Sequence, residues 1–388
     1  MSKDARTAPL ESQTLVRGIT AGIVVGIIAV TIDISFASLV FSGPLAPFFG
    51  RGVGLFLMGG IIMGVVFAVL GSLPGAAIGP QDGPAALIAV GAAAVAAAMV
   101  GVENPEATYA TVVAAIVLSS LVTGLAFYLI GQFKLGNLVR FIPFPVIGGF
   151  LAGTGWLIVR GALEVMLGGR LNLAMLGSLF QTDALIHWAP GVIFSTAVLL
   201  ILRRFNHILL WPAIVIGGIA LFYGLILALG LNMDEARASG ILMQPLPSGG
   251  LWRPLLPAGF GLVDWSVLAA QADKFIAIPL VSLMGFLLNA SALELVARRD
   301  LDLNRELRVT GLANLLAGLG SAPAGYHLLG ATSLAQRMGA KTRVVSVTMV
   351  VFCALVLMAG GGFVSFLPAS FLNAMLFMLG LSFGGLVI

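Results

Sequence analysis

Three acidic side chains interrupt stretches that are otherwise apolar: Asp33, Asp82 and Glu294. Acids at membrane depth are rare, and they face a cavity or a partner. Asp82 lies in the most informative stretch, Ala76-Ala77-Ile78-Gly79-Pro80-Gln81-Asp82-Gly83-Pro84-Ala85-Ala86-Leu87. Its two Gly-Pro pairs cannot sit inside a regular helix, because proline lacks the N–H and clashes with the preceding turn. Beyond Pro84 the chain turns Ala/Val/Ile-rich to about Met99. Proline near a first helical position, behind a short polar residue, marks a helix start. A helix therefore begins within the membrane, with Gln81, Asp82 and Gly83 at its mouth. Broken backbone at that depth must be buried by protein or line a polar cavity. We read the stretch as half of a substrate site. A kinked helix with a solvated loop, capped by Asp82, is the blander alternative.

A second break covers 318–333 and again joins apolar segments through Gly, Pro and small residues, with Pro323, Gly325, His327, Leu328, Gly330 and Thr332 in it. Two interrupted segments in corresponding halves point to an inverted-repeat transporter and to its site. The N-termini of the two half-helices would face each other near the midplane. Their unpaired N–H groups and dipoles favour an anion, such as sulfate, bicarbonate, chloride or a carboxylate. Asp82 opposes this: it is protonated in the cycle, or pairs with a cation, or turns away as a cap. Asp33 and Glu294 are further candidates for a coupling ion or proton. Against them stand a structural pairing for Asp33 and an i,i+4 ion pair with Arg298 for Glu294. Asn289 can bond substrate or a neighbouring helix. His327 can titrate near neutral pH as a coupling proton site, or be a satisfied loop histidine. Arg160 with Glu164 reads as a structural pair. Asp302, Arg305, Glu306 and Arg308 read as residues that cap and orient the following span, with no chemistry.

The elements that must carry these residues are membrane helices. The chain is 59% hydrophobic and 9% charged, with a mean hydropathy of +1.09, whereas soluble domains carry about 25% charged residues. With about 20 apolar residues per crossing, spans fall at roughly 18–41, 52–72, 83–100, 110–131, 143–167, 189–203, 208–230, 275–297, 307–320, 328–338, 343–360 and 366–388. Residues 1–17 form a polar tail, and 18–388 a single transmembrane domain. The longest polar connection, 231–273, holds Trp252 and Trp265 as interface anchors. With the N-terminus inside, only Arg51, Arg160, Arg170, Arg237, Arg253 and Lys274 of the 20 Lys plus Arg fall at the outer face, and that bias supports the threading. Cys353 is the single cysteine, which excludes a disulfide within the chain. No Gly-x-Ser-x-Gly, His-Glu-x-x-His or phosphate loop is present, so an enzyme is not expected. Cations spread among short loops give no nucleic-acid surface.

Several motifs resemble the sulfate permease family of solute carriers. Asp302-Leu303-Asn304-Arg305-Glu306-Leu307, Gly311-Leu312-Ala313-Asn314 and Gly318 through Pro323 are similar to its run before the tenth span. Phe141-Ile142-Pro143-Phe144-Pro145-Val146 through Phe150 resembles its entry to the fifth, and Ile78 through Leu87 its third-span break. The resemblance implies an all-α, uracil-permease-type inverted repeat of seven plus seven spans. Its core would be about 18–131 and 275–360, and its gate about 143–230 and 366–388. Substrate would sit between half-helices 3 and 10, beside spans 1 and 8, with Phe36 as an apolar wall. It also implies dimers, elevator motion and a cytoplasmic STAS domain after span 14. This chain stops near the end of span 12, so a longer parent protein is expected. The glutamine usual in span 1 falls at Ile32, and the acid usual in span 8 falls near Leu288 or Asn289. The Pro80-Gln81-Asp82 motif looks like a branch that includes fungal vacuolar proteins linked to basic amino acid storage.

These features together describe a secondary transporter of a small anion, working by exchange or by H⁺ or Na⁺ coupling, with no other cofactor. The same fold carrying a cationic or zwitterionic amino acid, and a non-transporting sensor or scaffold, are the alternatives. Expected partners are the solute, the lipid bilayer and a second copy of the chain. A bacterial plasma membrane is the expected location.

Overall fold

The computed structural model describes residues 8–136, 144–169, 171, 177–205, 207, 210–239, 241–246, 250–255 and 257–384. Arg140, Arg170, the Phe141-Ile142-Pro143 motif, tail residues 1–7 and the last four positions of the final span lie outside it.

The fold is all-α and polytopic, and every expected span has its helix. In chain order they are α1 (Ala8–Val40), α2 (Phe49–Leu70), α3 (Asp82–Ala98), α4 (Pro105–Gln132), α5 (Phe144–Leu167), α6 (Thr182–Arg204) and α7 (Leu210–Ala228). Two short helices, α8 (Met233–Ala238) and α9 (Trp265–Ala270), fill the long polar connection. Then come α10 (Ala272–Ala297), α11 (Leu303–Leu319), α12 (Leu329–Arg337), α13 (Val344–Val364) and α14 (Ala369–Gly384). Seven of these helices are long and apolar enough to cross a membrane alone. The remaining long segments are shorter or more polar and depend on neighbours to bury them.

α1 differs from expectation at its start. It begins at Ala8, ahead of the apolar run, and has 33 residues. Leu10, Glu11 and Gln13 are good helix formers, so the helix continues outward past the apolar stretch. At about 1.5 Å per residue it spans about 50 Å, well beyond a hydrocarbon core of about 30 Å.

Helices α1–α4 and α10–α13 pack as one group, and α14 packs against α5 and α6. Lipid tails are as apolar as leucine, so close packing rather than water exclusion must hold the helices together. Small residues allow it. Gly124 of α4 and Gly311 of α11 bring two backbones into contact: a methyl at Gly124 would lie 2.8 Å from the Gly311 carbonyl oxygen.

Between the helices lies the only sheet among the described residues. Strand β1 (Ile78–Pro80) pairs antiparallel with β2 (Gly325–His327), in the register Ile78 to His327, Gly79 to Tyr326 and Pro80 to Gly325. Each strand leads directly into a half-helix, β1 into α3 and β2 into α12. Both strands are wholly buried. Their ladder supplies backbone partners that broken chain at this depth requires.

Candidate functional site

The crossing is held by a set of side chains aimed at its backbone. Asn314 of α11 brackets Gly325: its Oδ1 accepts from the Gly325 N–H at 2.8 Å, and its Nδ2 donates to the Gly325 carbonyl at 2.8 Å. Gln81 donates from Nε2 to the carbonyls of Tyr326 (3.2 Å) and His327 (3.0 Å). Asn289 of α10 donates to the same His327 carbonyl at 2.8 Å. Thr332 of α12 accepts from the Ala77 N–H at 2.9 Å, and the Leu328 N–H donates to the Ala77 carbonyl at 2.9 Å. Gln81, Asn289, Leu328 and Thr332, all expected at the substrate, thus spend polar groups on fixing the two broken segments to each other.

The close approach also dictates residue types. A methyl at Gly325 would overlap the Gly79 carbonyl, and one at Gly285 of α10 would overlap the Tyr326 hydroxyl. On α2, Gly59 faces Pro80 and Ala322, while Gly60 lies under Gly79.

The two half-helix mouths differ. In α3, only the amides of Asp82 and Gly83 are free to serve a ligand: Pro84 has none, and the Ala85 N–H donates to the Gln81 carbonyl at 3.0 Å. The Gly83 N–H donates to the Asp82 carboxylate at 2.7 Å, and the Asp82 amide also faces its own carboxylate. The Tyr326 side chain lies beside the same group. The positive end of α3 is therefore filled by a built-in anion. The N-cap of α12 is Leu328, which offers no side-chain acceptor, and space beside Gly330 is open. Gly83 faces Val281 of α10, Phe150 of α5 and Tyr326. Phe150 was not expected here; it brings a ring from the neighbouring helix group to the mouth of α3.

The other candidates stand apart. Asp33 is 3% exposed, and its Oδ2 has no hydrogen-bond partner among the described residues. A methyl at Gly60 would sit 3.2 Å from that oxygen, so a single glycine separates Asp33 from Gly79 of the crossing. Phe36 packs on Phe56 of α2 with ring centroids 6.2 Å apart. Glu294 makes no ion pair with Arg298 among the described residues. Arg298 adopts a left-handed conformation (φ 52°) that ends α10, which turns its side chain off the helical i,i+4 track, and the Glu294 carboxylate instead accepts from the Leu301 N–H at 3.0 Å. Arg160 and Glu164 pair as expected, at 2.9 Å.

His327 is a strand residue, not a loop one, and it is fully buried. Its Nε2 lies 3.0 Å from Glu306 Oε2, and its ring packs edge-on to Phe67 (centroids 5.0 Å) and against Phe286 (5.5 Å). Glu306 is also fully buried, which reading it as a loop residue missed. A signal existed: Glu306 falls on the buried stripe of α11 with Leu303, Leu307 and Thr310. A charge on such a stripe requires a partner. Asp302 does cap α11, accepting from the Asn304 and Arg305 amides.

The comparisons with known proteins agree with this architecture. The model of the sulfate permease family matches residues 15–383. The vacuolar basic amino acid transporter VSB1 of Saccharomyces cerevisiae is 24% identical over 284 residues, covering 71% of this chain and 27% of that protein. A probable sulfate transporter of Mycobacterium tuberculosis is 25% identical over 315 residues, 80% of this chain and 53% of that one. The chain thus spans from about a quarter to half the length of these relatives. In fold it is similar to the transmembrane domain of the cyanobacterium bicarbonate transporter BicA, with a TM-score of 0.68, 19% identity, and 95% and 88% of the two chains covered. With helices, crossing and family model in agreement, this multi-pass membrane protein belongs to the sulfate permease family.

Proposed function

We propose that the chain is the membrane part of a secondary transporter for a small anion of the sulfate, bicarbonate, chloride or carboxylate class. The observation that carries this is the N-terminus of α12, which has no side-chain cap and opens beside Gly330. Uncapped first-turn amides and the positive end of the helix dipole favour a negative group there. Exchange or coupling to H⁺ or Na⁺ would supply the energy. The group of α1–α4 and α10–α13 would move as the core against α5–α7 and α14, carrying the crossing with it. Relatives named as sulfate and bicarbonate transporters support this reading.

One observation favours a second reading. The carboxylate of Asp82 takes the amides at the mouth of α3. The site then offers one positive helix end and one acidic group, at the starts of the two half-helices that follow the paired strands. That pattern suits a carboxylate and an ammonium on one molecule, as in a basic or other zwitterionic amino acid. The relative named as a basic amino acid transporter supports it.

Uptake of radiolabelled sulfate, bicarbonate, chloride, fumarate, lysine and arginine into proteoliposomes separates the two. The first reading expects saturable anion uptake that survives Asp82→Asn. The second expects lysine or arginine uptake that falls at least about tenfold in Asp82→Asn, a loss of about 1.4 kcal/mol. Amino acid uptake with no anion uptake would overturn the first reading.

A further inference from the structure

We propose that Glu306 and His327 form a proton-binding pair built into the back of the half-helix crossing. Sequence motifs give Glu306 no role beyond orienting α11, yet its carboxylate is fully buried and has three hydrogen-bond contacts. Oε1 accepts from the Ser72 amide at 3.0 Å and from the Ser72 hydroxyl, and Oε2 faces His327 Nε2 at 3.0 Å. The Ser72 amide is a fixed donor to Oε1, and the tautomer with its hydrogen on Nε2 gives Oε2 a donor as well. The other ring nitrogen, Nδ1, is buried with no partner among the described residues. Nδ1 is unpaired in either tautomer, but the other one would also set the Nε2 lone pair against the carboxylate and leave a buried N–H without an acceptor. In this conformation the pair is therefore a neutral imidazole on a carboxylate, with one net negative charge inside the core.

The proposed entry point is Nδ1, whose free lone pair takes the proton to form the imidazolium while Nε2–H keeps its bond to Glu306. The pair then becomes electrically neutral, and the new N–H needs an acceptor. Acquiring one requires the ring to move between Phe67 and Phe286. His327 also carries the carbonyl that Gln81 and Asn289 grip, and α12 begins two residues later. Protonation is in this way tied mechanically to the α12 mouth.

The surroundings hold few competing charges. Ser72 sits at the exit of α2, where the Arg299 guanidinium donates to the Ser72 carbonyl at 3.0 Å and that of Arg305 to the Leu70 carbonyl at 3.3 Å. Those two arginines place cationic groups at the loop that carries Ser72. Facing His327 from α2 and α10 are Phe67, Phe286 and Asn289, none of which ionises in the relevant range. Strand β1 contributes Ile78 opposite. Within β2, the Tyr326 side chain lies beside Asp82, the acid at the start of α3.

The test has two arms on the purified chain in lipid. In the first, histidine is labelled with ¹⁵N; only His187 and His207 accompany His327, and His327→Gln assigns its signal. The expected result is an Nε2–H tautomer at pH 8 and a second N–H signal at pH 5, lost or displaced in Glu306→Gln. A single tautomer across that range, or one indifferent to Glu306→Gln, overturns the proposal. In the second arm, proteoliposomes with an internal pH dye are given sulfate, bicarbonate, lysine or arginine. Wild-type protein should move protons with the transported solute. His327→Gln and Glu306→Gln should lower the proton-to-solute ratio at least about tenfold while solute exchange persists. A ratio equal to wild type in both variants also overturns it. If none of these solutes moves, the transport reading fails, and the tautomer arm still decides the proton site. Melting profiles identify a variant that has merely unfolded, and Glu306→Asp, which keeps the charge, should restore coupling in part.

Discussion

At the scale of single residues, the crossing depends on groups with no room for substitution. Gly325 is the sharpest case, because any Cβ would overlap the Gly79 carbonyl and part the two strands. Backbone in that position cannot relax without breaking the ladder. Gly325→Ala should therefore lower the melting temperature in detergent sharply and abolish solute uptake, while Gly330→Ala, beside open space, leaves the melting temperature within a degree or two. Equal stability of the two variants would contradict the packing described. The residues that could do chemistry were partly visible in the sequence. Asp33 and Asp82 stand out because charge is rare in such a chain. Glu306 does not, since it follows Asp302 and Arg305 in a run that looks solvated. Only its phase on the α11 stripe reveals that it points inward.

At the scale of elements, helices were legible and the strands were not. Long apolar runs place α2, α3, α5, α7 and α10 to within about three residues at each end. Three-residue strands carry no periodicity, and their partners lie about 250 positions apart. The side chains that secure them are equally remote. Gln81 bonds carbonyls 245 and 246 residues away, and Thr332 bonds an amide 255 residues away. Gln81, Asn289 and Thr332, expected from sequence motifs at the substrate, each also hold backbone of the crossing, a second task that the motifs do not reveal. Asn314 shows what such a commitment is worth. Asn314→Ala leaves the Gly325 N–H and carbonyl each without a buried side-chain partner, at about 1–3 kcal/mol per group. We expect a destabilisation of about 2–5 kcal/mol by denaturation in detergent. A change under about 1 kcal/mol would mean that water or a shifted backbone replaces both bonds.

At the scale of the whole molecule, the contact that matters joins the two helix groups. Phe150 of α5 reaches Gly83 at the start of α3, with a ring carbon 3.7 Å from where a Cβ would stand. If transport moves one group past the other, that contact must break in each cycle. In a Cys353→Ala background, a short bismaleimide link between G83C and F150C should therefore stop uptake. The same pair left unlinked should retain most of it. Full uptake in the linked protein would show that the groups do not separate at this point.

The paired strands also impose an order on biosynthesis. Residues 78–80 find their hydrogen-bond partners only when 325–327 have been made. At about 5–20 residues per second, the ribosome needs roughly ten to fifty seconds to cover that interval. Throughout it, the first half of the protein holds an unpaired edge and an acid at a helix mouth in the bilayer. The nascent chain must therefore wait beside the insertion machinery, shielded by it or by water, and its point of no return comes late. Slowing translation between the two breaks should raise the fraction degraded before completion, with the mature protein's stability unchanged.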